Sequence, residues 1–307
     1  MKCMLEGLTK KYDNLIGVMC LVIAALLWGG EFVVAKDVMG VIEPNWINVI
    51  RTFFTALIAL VIWWKHFKTA TVKDWARGAL CGILFGIGWA LQTMGLELIN
   101  AGINAFLSCA YIILIPFMVW AVSKKKPEGK VFVSAAIGIV GVTIMSVTGF
   151  GTGSLAIGPG EILSLLSAVG YGAAMVALDS CTDKSSVEFL TGSQFIFSFI
   201  VSIIFALILE QPPALEASGI MIAEFLYLIV LGTFMTQLLF TYGIKHASAT
   251  QGGVIFPLES VSATVFGCIF LHEQMLAVQI VGGIMIVAAI IISSVEFKNK
   301  ENEIIGG

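Results

Sequence analysis

Three ionisable side chains stand inside apolar runs of this sequence. They are Glu31 in "ALLWGGEFVVAK" (25–36), Arg51 in "VIRTFFTAL" (49–57) and Glu259 in "GGVIFPLESVSATVFGCIFLHEQ" (252–274). A charge in hydrocarbon costs roughly 2.5–3.5 kcal/mol on insertion scales, so such residues face a cavity, a partner or a transport path. Glu31 and Arg51 lie at similar depths, which lets them pair. The pair reads either as a structural tie between two helices or as a charged cavity wall. In the second reading Arg51 is free in one state to hold a substrate carboxylate. Glu259 has no cationic partner in its own run. Burial without a partner disfavours the charged form of a carboxyl, which makes Glu259 the candidate proton-coupling residue. The other reading is a neutral carboxyl hydrogen-bonded to a neighbouring helix, beside a carbonyl freed by an interior Pro257.

The polar and aromatic residues that accompany these charges suit a small-molecule pocket. Trp28, Trp89, Tyr111 and Tyr171 are candidate stacking walls, and Gln92, Asn104, Gln194 and Gln237 are candidate hydrogen-bonding groups. His66, His246 and His272 fall at the ends of apolar runs. There is no HExxH pair, no nucleophile with a base at the same depth and no Walker loop. The six cysteines form no CxxC pair and read as small buried hydrophobes. No metal, cofactor or catalytic residue is expected.

The elements that must position these residues follow from hydropathy. Hydrophobic residues are 58% of the chain and charged residues 12%, against about a quarter charged in a soluble domain. That composition implies an integral membrane protein. Its net charge of −3 is nearly neutral and gives no footing for nucleic acid. Spanning a bilayer core takes about 20 residues of helix. Apolar windows of that size occur near 15–36, 44–64, 76–96, 101–122, 130–148, 159–178, 188–209, 220–242, 248–271 and 275–295. The expected fold is therefore an all-α integral membrane protein with ten transmembrane helices. With the N-terminus in the cytoplasm, every Lys and Arg except Lys36 and Arg51 falls on the inner side, so both termini are expected there. Trp63, Trp64 and Trp75 read as interfacial anchors.

The windows divide at the Gly-rich stretch 149–158. Five helices on each side make two inverted repeats, 15–148 and 159–295, flanked by an N-terminal segment 1–14 and a tail 296–307. "AALLWGGEF" (24–32) lays on "SAVGYGAAM" (167–175), with Trp28 on Tyr171, and Pro116 and Pro257 interrupt the fourth and ninth helices. Inverted repeats with interrupted helices are the signature of secondary transporters, whose sites lie near the midplane between repeats. Gly78, Gly82 and Gly86, with Gly138, Gly141, Gly282 and Gly283, make small-residue faces. Such faces serve static packing or sliding between states.

The blocks around Trp28–Lys36 and Arg51, with "GWALQTMGLELINAGINAFLSCAYIILIPFMVWAV" (88–122), "GEILSLLSAVGYGAAMV" (160–176) and "LESVSATVFGCIFLHEQMLAVQIVGGIMIVAAIII" (258–292), resemble the EamA type of the drug/metabolite transporter superfamily. The resemblance implies a carrier of small organic molecules. Three positions depart from the family pattern: Glu31 stands where a small residue is common, Glu259-Ser260 replaces Glu-Pro, and the basic run 124–126 replaces an acid after the fourth helix. Glu273 keeps the corresponding acid after the ninth.

The expected function is a secondary active transporter in a bacterial-type cell membrane. It moves a metabolite, amino acid or drug by alternating access, in the export direction by family habit. Its partners are the small-molecule substrate, membrane lipid and protons, and the chain works as a monomer or homodimer. The alternatives are a flippase for lipid-linked or headgroup cargo, then a channel or an intramembrane enzyme.

Overall fold

The computed structural model describes residues 2–124, 126–145, 157–213, 218–246 and 255–294. Among them there is helix and no strand. In chain order the elements are α1 (Lys2–Val38), α2 (Pro44–Ile62), the short α3 (Trp64–Thr69), α4 (Val72–Leu98), α5 (Ala101–Cys109), α6 (Tyr111–Ser123) and α7 (Gly129–Met145). Then come α8 (Pro159–Thr182), α9 (Val187–Leu209), α10 (Gly219–Leu226), a π-helical stretch (Tyr227–Met235), α11 (Thr236–His246), α12 (Pro257–Phe270) and α13 (Ala277–Ser294).

Every apolar window of the sequence holds helix. Among the described residues seven helical runs are long and apolar enough to cross a membrane: Tyr12–Val38, Pro44–Ile62, Val72–Leu98, Ala101–Ser123, Pro159–Thr182, Val187–Leu209 and Gly219–His246. Gly129–Met145, Pro257–Phe270 and Ala277–Ser293 are shorter apolar helices. Large apolar side chains cover the outside, as with Val61, Val122 and Ile208, each more than 70% exposed. Lipid rather than water suits that surface.

The structure differs from the sequence reading in four places. First, α1 begins at Lys2, inside the segment expected to precede the first helix. No proline stands between Lys2 and Val38 to stop it. Second, the fourth run breaks at Ala110, between α5 and α6, with Pro116 inside α6. Third, the eighth run contains a π-helical stretch. Fourth, the ninth run breaks at a turn on Phe256 and Pro257 opens α12 directly after it, where its missing N–H costs nothing. Residues 248–254 of the ninth window, 149–156 of the linker and the tail 296–307 lie outside the described residues.

Local chemistry sets several helix starts. Thr71 and Asp74 form a reciprocal capping box on α4, and Ser186 and Ser218 cap α9 and α10. Two other starts are capped across the fold. The backbone N–H groups of Asn45 and Trp46 donate to the Glu210 carboxylate at 2.9 and 3.1 Å, and that of Ala101 donates to Glu273 at 2.9 Å. Negative charge at a helix N-terminus is favoured by the orphan donors and the helix dipole. Glu273 is also 3.1 Å from Lys36, which ties the end of α1 to the start of α5.

The small-residue faces work as close-approach surfaces. A Cβ on Gly82 would lie 2.7 Å from Phe197 Cβ, and one on Gly141 would lie 2.9 Å from the Gly282 carbonyl oxygen. These contacts bring α4 onto α9 and α7 onto α13. Around them α1 packs against the π stretch, α11 and α12, while α8 packs against α4, α5 and α6. The core between α1 and α8 holds the site. Trp63 stacks on Phe234 at 5.2 Å and Trp75 meets Phe189 edge-on at 5.3 Å, so both rings pack within the protein, whereas Trp64 is exposed.

Candidate functional site

A cavity of about 40 Å³ lies at the centre of the bundle. α1 supplies Trp28, Glu31 and Phe32; α4 supplies Phe85, Trp89 and Gln92; α8 supplies Tyr171, Ala174, Met175 and Leu178. Ser108, Tyr111, Phe240 and Glu259 complete the wall from α5, α6, α11 and α12. Seven of the residues singled out in the sequence therefore meet: Trp28, Glu31, Trp89, Gln92, Tyr111, Tyr171 and Glu259.

Aromatic rings make the wall continuous. Trp28 contacts Phe240 at 5.0 Å between centroids, Phe240 contacts Phe256 at 5.6 Å, and Phe256 contacts Tyr111 at 6.3 Å. Tyr111 then meets Tyr171 at 6.2 Å, Tyr171 meets Phe85 at 5.2 Å, and Phe85 meets Trp89 at 5.0 Å. All are tilted or edge-on, the geometry that ring quadrupoles favour. The far side of this belt is ionic. The Arg51 guanidinium pairs with Glu31 and sits 4.1 Å from the centroid of the Trp89 ring.

That ion pair is buried, with side chains 2% and 8% exposed. Taking both charges out of water costs several kcal/mol per ion, which their attraction offsets only at close range. The Trp89 face adds a cation–π contact of about 0.5–2 kcal/mol. Arg51 itself does not line the cavity. Gly232 in the π stretch lets this segment close on Glu31, since a Cβ there would lie 3.3 Å from Glu31 Cγ. Glu31 Oε2 and Arg51 Nε have no hydrogen-bond partner among the described residues. Helical π stretches recur at functional sites, and this one packs beside the only buried ion pair among the described residues.

Glu259 contrasts with Glu31. It is 9% exposed, faces the cavity, and its carboxylate has no hydrogen bond or ion pair among the described residues. Among the described residues it makes no hydrogen bond to a neighbouring helix, and the carbonyl one turn before Pro257, that of Gly253, lies outside them. Instead its neighbour Ser260 donates to the Ala105 carbonyl of α5 at 3.0 Å, which anchors α12 there.

Three amides considered for the pocket serve elsewhere. Asn104 donates to Ser164 Oγ at 2.7 Å and to the Gln92 carbonyl at 3.1 Å, which joins α5, α8 and α4. Gln237 donates to Gln194 Oε1 at 3.0 Å, and Gln194 donates to its own helix at Leu190. Neither Asn104, Gln194 nor Gln237 faces the cavity. Gln92 does, with its side-chain oxygen accepting from the Tyr171 hydroxyl at 2.6 Å. Among the described cysteines, Cys81, Cys109 and Cys181 are buried, Cys20 is half-buried and Cys268 exposed, all free.

The profile of the EamA-like transporter family matches residues 15–147 and 158–295. The chain belongs to the EamA-like transporter family. An uncharacterized transporter of Archaeoglobus fulgidus is 28% identical over 290 residues, covering 94% of this chain and 88% of that protein. The uncharacterized transporter YoaV of Bacillus subtilis is 22% identical over 283 residues, covering 90% and 96%. A solved crystal structure aligns with a TM-score of 0.65 at 15% identity, over 92% of this chain and 96% of that one, a likeness of fold. With its seven helical runs of spanning length, the EamA-like chain is a multi-pass membrane protein of the drug/metabolite transporter superfamily.

Some wall residues of this EamA-like protein were missed in the sequence. Phe85 lies one turn before Trp89, and Met175 one turn after Tyr171. Helical spacing from the aromatic residues already chosen would have found both. Ser108, three residues before Tyr111, carries the same spacing signal, whereas Phe240 has no chosen aromatic residue one turn away. They reach the cavity because α5 and α11 pack beside α8 and α1.

Proposed function

We propose that this protein is a secondary active transporter that moves a small organic molecule across the cell membrane by alternating access, in the export direction. The observation that carries this reading is the central cavity walled by α1 and α8. Trp28 and Tyr171, laid on one another in the sequence, both line it. The proposed architecture is ten transmembrane helices in two inverted repeats, 15–148 and 159–295. Exchanging the repeats maps α1 against the π stretch, α11 and α12 onto α8 against α4, α5 and α6. Both sets of contacts are present. The same exchange maps the α2–α9, α5–α12 and α7–α13 contacts onto themselves. Both termini are placed in the cytoplasm by the Lys and Arg distribution. Glu259 is the proposed proton-coupling residue. It is the carboxylate of the cavity that no cation among the described residues neutralises.

Counterflow of radiolabelled solutes in proteoliposomes tests the class. A carrier exchanges labelled for unlabelled solute against its gradient, and a channel does not. Absence of counterflow across a broad panel of amines, amino acids and nucleosides, together with movement of a fluorescent lipid, would replace the carrier with a flippase. The structure offers a flippase little. A second cavity of about 540 Å³ between α1, the α10–π region and α12 carries Asp37 and Glu224. Those carboxylates repel the phosphates of a lipid headgroup.

A further inference from the structure

We infer that the central cavity takes an organic cation, a small ammonium or guanidinium compound with an apolar or aromatic body. The inference rests on the reading of this cavity as the transport site. Among the described residues the cavity holds no free positive charge for an anion. Arg51 is 2% exposed, bound to Glu31 and stacked on Trp89, and no other described Lys, Arg or His lines the wall. An anion that took Arg51 would strand Glu31 as an uncompensated buried charge, the most costly arrangement available.

What the cavity does present is a carboxylate without a charged partner among the described residues. The Glu259 carboxylate faces it with no donor among them, whereas the charge of Glu31 is met by Arg51. The Gln92 side-chain oxygen is occupied by Tyr171. Buried polar groups in native proteins find partners, and the missing partner here is a donor that carries positive charge. The walls suit the rest of such a ligand. Trp28, Trp89, Tyr111, Tyr171, Phe85 and Phe240 present ring faces and edges, and desolvated cations bind aromatic faces.

Three probes of one shape and different charge test this: phenethylammonium, 2-phenylethanol and 3-phenylpropanoate, titrated calorimetrically into the full chain in lipid nanodiscs. Phenethylammonium is expected to bind about tenfold or more tighter than the alcohol, with the propanoate weakest. Glu259→Gln is expected to bring the amine and the alcohol to similar affinity, and Glu259→Asp to keep the amine ahead. Equal binding of the three probes by the wild type, tighter binding of the propanoate, a preference for the amine that survives Glu259→Gln, or no binding by any probe would each overturn the inference. Ala174→Phe, which fills the cavity, separates the two levels. If it abolishes binding of probes that show no charge preference, the cavity stands as the binding site and the cation falls. If phenethylammonium binds Ala174→Phe as well as wild type, the cavity and the cation fall together.

Discussion

Glu31 and Glu259 line the same cavity from two helices packed on each other, α1 and α12, and their surroundings could hardly differ more. Glu31 is held by Arg51 of α2, which is itself held by the face of Trp89. Glu259 has no such partner among the described residues and stands beside aromatic rings at nearly the same degree of burial. The difference teaches that depth does not decide what a membrane carboxylate does; its partner does. A carboxylate with a permanent partner keeps one charge state and braces two helices. One without a partner is available to a proton or a ligand.

The comparison breaks most readily at Arg51. Arg51→Ala should lower thermal stability in detergent by about 3–5 kcal/mol, because Glu31 is left buried and unpaired. The Glu31→Gln, Arg51→Ala double variant should recover much of that loss. Additive losses in the double-mutant cycle would show that the two charges do not brace each other. Glu259→Gln should do the reverse. Stability should hold, while accumulation driven by a pH gradient in proteoliposomes falls by about tenfold or more and solute exchange continues. Uphill transport at the wild-type rate would remove the coupling role.

Trp89→Leu tests how firmly Arg51 is held. Losing the ring should cost about 1–2 kcal/mol in unfolding experiments, and much less in an Arg51→Ala background. A cost that is independent of Arg51 would reduce Trp89 to a packing residue. The smallest effect is expected at the other ion pair. Lys36 is 23% exposed beside Glu273, so Lys36→Ala should cost under about 1 kcal/mol. A loss as large as that of Arg51→Ala would place a brace at the end of α1 equal to the one in its middle.

Much of this was readable along the chain. The apolar windows find the helices because the cost of exposing backbone and charge to hydrocarbon is paid residue by residue. Trp28, Trp89, Tyr111 and Tyr171 could be picked out because aromatic residues beside intramembrane charges have few other uses. The break at Ala110 and the π-helical stretch at Tyr227–Met235 were not readable, since tertiary neighbours decide where a helix loosens. Gln194 and Gln237 looked like ligands to a substrate because sequence cannot reveal that two amides from different helices satisfy each other at 3.0 Å.

By itself, the sequence determined that the chain lives in a membrane as a set of apolar helices, and that three charges must sit among them. Hydropathy is a local property, and the bilayer reads it one segment at a time. Only the tertiary structure decided which of those charges found a partner. Pairing depends on which helix faces lie a few ångströms apart, and that is set by packing contacts such as Gly82 on α9 and Gly232 against Glu31.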